Sequence, residues 1–218
     1  MKIVINSHIN GKIALDHLLE SMRSYKEYDD FEIIIIIGGY YKNNDYEIKK
    51  EDNITYIYCN HNSIDFTGLI ALMELYPEST DHYFYLHDSC KIGGKFYQIL
   101  KEIETNIQNI TSMKINKNFS MNMGIYSQVI INKFKTFLLS KKNTEESKCM
   151  EFKINSNEDH IFNNDPNNFL FDNYNNWIHY GPVDYYKTGT MRIIEYYPTL
   201  DLYKIKANWG QGSWTLNN

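Results

Sequence analysis

The chain has 218 residues, enough to bury a substantial core without disulfide or metal staples. Hydrophobic residues make up 43% and charged residues 22%, the balance of an ordinary globular protein. Twenty-two Lys and Arg against 27 Asp and Glu leave a net charge of −5, which argues against a general nucleic-acid binder and against a surface that rests on anionic lipid.

Lys2 to Asn6 predicts a short strand that turns polar too soon for a signal peptide. A polar turn over Ser7 to Gly11 follows. Lys12 to Tyr25 then carries Ile13, Leu15, Leu18, Leu19 and Met22 at helical spacing. Phe31 to Ile37 is almost purely β-branched and suits a strand buried on both faces; it is far short of the ~18–20 residues of a membrane helix. Ile54 to Tyr58 predicts a third strand, Thr67 to Leu75 a helix ending before Pro77, and Tyr83 to Leu86 a fourth strand. In the second half, Phe96 to Ile107 and Gln128 to Leu139 predict helices, and Met121 to Tyr126 an extended segment. Lys141 to Lys148 has the charge pattern of a flexible loop, and Asn155 to Asn176 that of ordered, irregular structure, because aromatics interrupt its polar run. The order β-α-β-β-α-β predicts an α/β fold with helices on a parallel-rich sheet. Cys59, Cys90 and Cys149 are too few and scattered for a disulfide frame or a zinc site, and suggest the reduced thiols of an intracellular, cytoplasmic protein without a membrane span.

Ligands of open α/β sheets gather beyond the carboxyl ends of the strands. There the fourth strand runs into His87-Asp88-Ser89. A carboxylate at that point can hold Mg²⁺ or Mn²⁺, which prefer oxygen ligands, and such a cation neutralises a diphosphate as it leaves. Asp88 is equally an ordinary turn residue after a strand. Ser7 and Asn10 after the first strand, and Asp65 before the second helix, offer groups for a base or ribose; each also reads as part of a polar loop.

Tyr83 to Ser89 resembles the strand and acidic triplet of nucleotide-sugar glycosyltransferases of the GT-A fold. Three further segments are similar to that family in the same order. Asn60 to Glu74 looks like its nucleotide-touching loop and helix, Ser120 to Tyr126 like the strand lining donor sugar and acceptor, and Glu158-Asp159-His160 like its acidic pair. The resemblance implies a single GT-A-like, Rossmann-like α/β domain with a mixed, mainly parallel central sheet flanked by helices. Residues 1–90 would form the nucleotide-binding half and 91–218 the acceptor-binding half. It implies transfer of a sugar from a nucleoside-diphosphate donor, uridine favoured, to a hydroxyl acceptor such as a glycan, with Mn²⁺ or Mg²⁺ as cofactor.

Carried over residue by residue, Asp159 or Glu158 would be the catalytic base, and Ser7, Asn10, Asp65, His87, Asp88 and Lys187 would bind the nucleotide. Asp88 and His179 would hold the metal, His179 by the likeness of Ile178 to Pro182 to a histidine–glycine element of some members. Asn122 and Gly124 would line the sugar pocket. The chain departs from the family in keeping only the central carboxylate of the usual Asp-x-Asp. The residues themselves leave other readings open: Glu158 and Asp159 as a helix cap begun by Ser156, His179 as a turn histidine, Lys91, Lys187 and Arg192 as the diphosphate's cations, and Trp209 to Trp214 as a lid or a tail. Two other functions also stay open, a sugar-nucleotide binding module without turnover and a nucleotidyltransferase. The latter usually carries a glycine-rich basic loop after its first strand, where this chain has only Gly11 and Lys12.

Overall fold

The computed structural model describes residues 1–42, 44–115, 122–146, 161, 168–170 and 178–207, and of 168–170, 178–179 and 207 the backbone only. Strand β1 (Lys2–His8) leads through helix α1 (Lys12–Arg23) to β2 (Ile33–Gly38). The antiparallel pair β3 (Tyr46–Glu51) and β4 (Ile54–Cys59) precedes α2 (Thr67–Leu75) and β5 (His82–His87). After β6 (Cys90–Ile92) come α3 (Phe96–Glu104), β7 (Ser112–Lys114), β8 (Gly124–Ser127), α4 (Gln128–Lys133) and α5 (Lys135–Ser140). The described chain closes with β9 (Asn168–Leu170), β10 (Ile178–Val183), β11 (Arg192–Tyr197) and β12 (Leu202–Ala207).

An eight-stranded sheet runs in the order β3-β4-β2-β1-β5-β8-β7-β9. Its centre, β4-β2-β1-β5, is parallel throughout. Numbering only those four strands along the chain, their order is 3-2-1-4, the doubly wound arrangement whose direction of travel reverses between β1 and β5. The parallel strands alternate their side chains into two cores. Ile3, Ile5, Ile33, Ile35, Phe84 and Leu86 meet Leu18 and Met22 of α1 and Phe96 and Leu100 of α3. Val4, Ile34, Ile36, Tyr83 and Tyr85 meet Leu69 to Met73 of α2 and Ile130 and Ile131 of α4. All six residues of β2 are buried, as an unbroken apolar run between two helical layers requires.

The eight-stranded sheet is mixed, as expected, with four of its seven pairings parallel and three antiparallel. Across the described strands four pairings are parallel and six antiparallel. The surplus comes from flanking hairpins and from a second sheet, β10-β11-β12-β6, which periodicity does not reveal. Other boundaries shift for local reasons. Ser7 and His8 belong to β1, so the turn begins at Ile9. The helix from Phe96 stops at Glu104, and a separate 3₁₀ turn covers Ile107–Asn109. The single helix expected from Gln128 breaks at Phe134, whose N–H is shared between the carbonyls of Ile130 and Ile131 at 3.3 and 3.2 Å. Residues 141–146 are tied down rather than loose: Lys142 pairs with Glu74 at 2.8 Å, Asn62 N donates to Asn143 O at 2.8 Å, and Asn143 N donates to Ser63 Oγ at 3.1 Å. Residues 147–148, Met121, most of 155–176, and Trp209 to Trp214 lie outside the described residues. Among the described residues no helix is long and apolar enough to cross a membrane.

Candidate functional site

The triplet His87-Asp88-Ser89 is the bend at which the chain leaves β5 of the large sheet and enters β6 of the small one. It therefore stands at the carboxyl edge of β5 beside that of β1, at the point of reversal. Asp88 N donates to Asn6 O at 3.0 Å, continuing the β1–β5 ladder one step past the strand. Ser7 Oγ then donates to Asp88 Oδ2 at 2.8 Å. Burial pushes the Asp88 pKa up, against the opposing pull of the Ser7 bond and of the positive Lys204. The carboxylate also lies against the start of α1. A Cβ on Gly11, the residue that caps this helix, would sit 2.3 Å from Asp88 Oδ2 and 3.1 Å from Ser7 Oγ. Gly11→Ala should therefore displace the carboxylate at a cost of about 1–3 kcal/mol, the usual range for overpacking. Urea denaturation checks this, and a variant of wild-type stability would show that the Asp88 side chain can move freely.

Lys204 of β12 is the residue that sequence reasoning missed. Lys204 pairs with Cys90 across the small sheet, and Ile205 N donates to Ser89 O at 2.8 Å, so β12 runs directly behind the triplet. Lys204 is 4% exposed as a residue; its ammonium donates to Ser89 Oγ at 2.7 Å and meets His87 Nδ1 at 3.2 Å. Burial, and then the Lys204 charge, hold the His87 pKa well below the usual histidine range, so the ring is neutral. With Nδ1 accepting from Lys204, the ring proton sits on Nε2 and faces Asp65 Oδ1 across 3.5 Å, a polar approach rather than an ion pair. Asp65 is fixed from its backbone, where its carbonyl accepts from Tyr85 Oη at 2.8 Å. Asn6 locks the same region by donating to Ile64 O at 3.0 Å and accepting from Gly68 N at 2.9 Å.

A cleft of about 480 Å³ opens beyond the ends of β1, β2 and β4, lined by none of the triplet but by His8, which lies within electrostatic reach of Asp88. Its walls include His8, Asn10, Tyr40, Lys42, Asn62 and Glu146. The volume suits a nucleoside-sized ligand. His8 is kept neutral by burial, which outweighs the attraction of Asp88, and its Nδ1 accepts from Asn10 N at 3.1 Å. The ring packs onto Gly39, where φ is +82° and a Cβ would lie 2.4 Å from His8 Nε2; only glycine serves both the turn and the close approach.

Of the residues expected from sequence, Ser7, Asp65, His87 and Asp88 come together at the reversal, and Asn10 lies in the adjoining cleft. His87 is buried, and its Nδ1 meets the ammonium of Lys204. Gly124 of β8 pairs with Tyr85, and Asn122, two residues earlier, has its side-chain atoms buried and without a hydrogen-bond partner. Lys187 is exposed on the β10–β11 loop, and it is the neighbouring Tyr186 that turns inward, within electrostatic reach of Asp88. His179 is placed as a backbone position of β10, while Glu158 and Asp159 lie outside the described residues. Among the described residues no group of three His, Cys, Asp or Glu side chains is arranged to hold a metal ion. No family model matches the chain, and no curated protein is significantly similar to it.

Proposed function

We propose that the protein is a glycosyltransferase of the GT-A type, moving a sugar from a nucleoside-diphosphate donor, uridine-linked, to a hydroxyl acceptor such as a glycan. The observation that carries this reading is the reversal between β1 and β5, with Ser7, Asp88 and the buried Lys204 at its mouth and a nucleoside-sized cleft beside it. In this reading the base and ribose occupy the cleft near Asn10 and Asn62, the diphosphate lies across the triplet, and the sugar points toward Asn122 and Gly124. The acceptor hydroxyl attacks the anomeric carbon as the bond to the diphosphate oxygen breaks, and the diphosphate leaves with the bonding pair. Asp159, or Glu158, is the proposed base that takes the hydroxyl proton.

A divalent cation held by Asp88 and His179 is one source of charge for the diphosphate. The described residues do not fit that ion: no three His, Cys, Asp or Glu side chains among them converge, Asp88 is already bonded to Ser7, and Lys204 supplies positive charge beside it.

The test is a thermal-shift series with uridine and guanosine diphosphates and their sugars. A ligand at 100 times its Kd should stabilise the fold by about 2.7 kcal/mol. Absence of any shift with the whole series at saturating concentration would remove the reading. A binding module without turnover is the second reading, favoured by the way Ser7 Oγ and the Ser89 backbone already bond Asp88. Mass spectrometry separates the two, since an enzyme transfers a hexose mass to acceptor or water and a module does not.

A further inference from the structure

A diphosphate carries about two negative charges, and Asp88 adds another where it would lie. Four side chains around the triplet bear on how that charge is met. Lys204 is nearly inaccessible, yet its ammonium is directed at the triplet, with bonds to Ser89 Oγ and His87 Nδ1 that use two of its three N–H donors. His87 is neutral, so it neither adds to nor competes with that charge. On the α1 side of Asp88, Tyr186 is 9% exposed and its hydroxyl has no hydrogen-bond partner. Nor has the Nε of Arg192, whose guanidinium lies 5.7 Å above the Tyr186 ring. Buried donors without acceptors are costly unless a ligand completes them.

We propose that Lys204 supplies the fixed positive charge that a nucleoside diphosphate meets beside Asp88, so that binding needs no divalent cation. The inference rests on the glycosyltransferase reading and specifies how that site handles charge. A lysine bonded at two points is already oriented and requires no reorganisation when the anion arrives. Placed about 5 Å from a phosphate at an effective dielectric of 20, one unit charge is worth about a hundredfold in affinity.

The experiment is calorimetric titration of the full chain with UDP, in EDTA and in excess Mn²⁺. Wild type should bind equally well in both. Lys204→Met should lose about a hundredfold in both, and Lys204→Arg, which keeps the charge, should recover most of it. A merely structural lysine would lower the melting temperature of Lys204→Met and leave UDP affinity of the folded fraction unchanged, which overturns the proposal. Wild-type binding that appears only with Mn²⁺ also overturns it while leaving the glycosyltransferase reading intact, and this arm does not depend on any variant folding. Failure of wild type to bind UDP or any other nucleoside diphosphate under either condition removes both.

Discussion

Asp88→Asn should melt higher than the wild type at neutral pH, by about 2–4 °C, the shift that ~1 kcal/mol produces in a chain of this length. Burial outweighs the Ser7 bond and the Lys204 charge, so the folded state retains the Asp88 proton to higher pH than the unfolded chain does. Between those two pKa values the folded state binds more protons. Stability therefore falls as pH rises through that window, and the deficit is complete above it. Asparagine keeps the shape and carries no charge, so the two proteins should converge as pH falls into the ordinary carboxylate range. Melting curves across pH decide this; a variant less stable at neutral pH would make Asp88 a structural cap for α1.

The largest loss of stability is expected at Tyr85→Ala. Tyr85 is 0% exposed in the middle of β5, with its ring edge-on to Tyr126 at 5.9 Å and to His87 at 6.3 Å. On the α2 side the approach is so close that a Cβ on Gly68 would lie 2.6 Å from the ring. Removing the ring leaves a cavity that these neighbours cannot close, at about 3–5 kcal/mol, or a fall in Tm of about 6–20 °C. Tyr85→Phe keeps the ring and only orphans the Asp65 carbonyl, about 1–2 kcal/mol. Chemical denaturation of both variants tests the division. Equal losses would place the stabilisation in the hydroxyl rather than in the packing.

The parts of the fold legible in the sequence are those whose apolar residues run without interruption. The five isoleucines of β2, and the helix Thr67–Leu75 with its expected bounds, lie where both faces or most of a face are buried. Strand β3 escaped notice because it is an edge: Glu47, Lys49, Lys50 and Glu51 leave little period to detect. The small sheet escaped for the opposite reason, since it buries polar groups. Glu195 is 3% exposed, with Tyr197 Oη and Lys206 Nζ each donating to it at 2.8 Å, and its register partner is Lys204. A strand that reads Leu-Tyr-Lys-Ile-Lys-Ala looks half-solvated until its partners are known. The break at Phe134 was invisible because the hydrophobic spacing continues through it. At the site, Asp88 and Ser7 were legible because strand ends in such sheets collect ligands, whereas Lys204 was not, because no local pattern distinguishes a lysine that faces a buried histidine.

The bond from Lys204 to Ser89 joins positions 115 residues apart in sequence. At a synthesis rate of ~5–20 residues per second, the triplet leaves the ribosome on the order of ten seconds before the lysine that is to stand behind it. During that interval the parallel strands can pair while Asp88 has Ser7 for a partner but no neighbouring cation. Closing a loop of this length costs only about 0.6 kcal/mol more than closing one half as long. What delays the site is therefore the arrival of the last hairpin, and the electrostatics of the reversal between β1 and β5 are completed by the segment that is made last among those that build it.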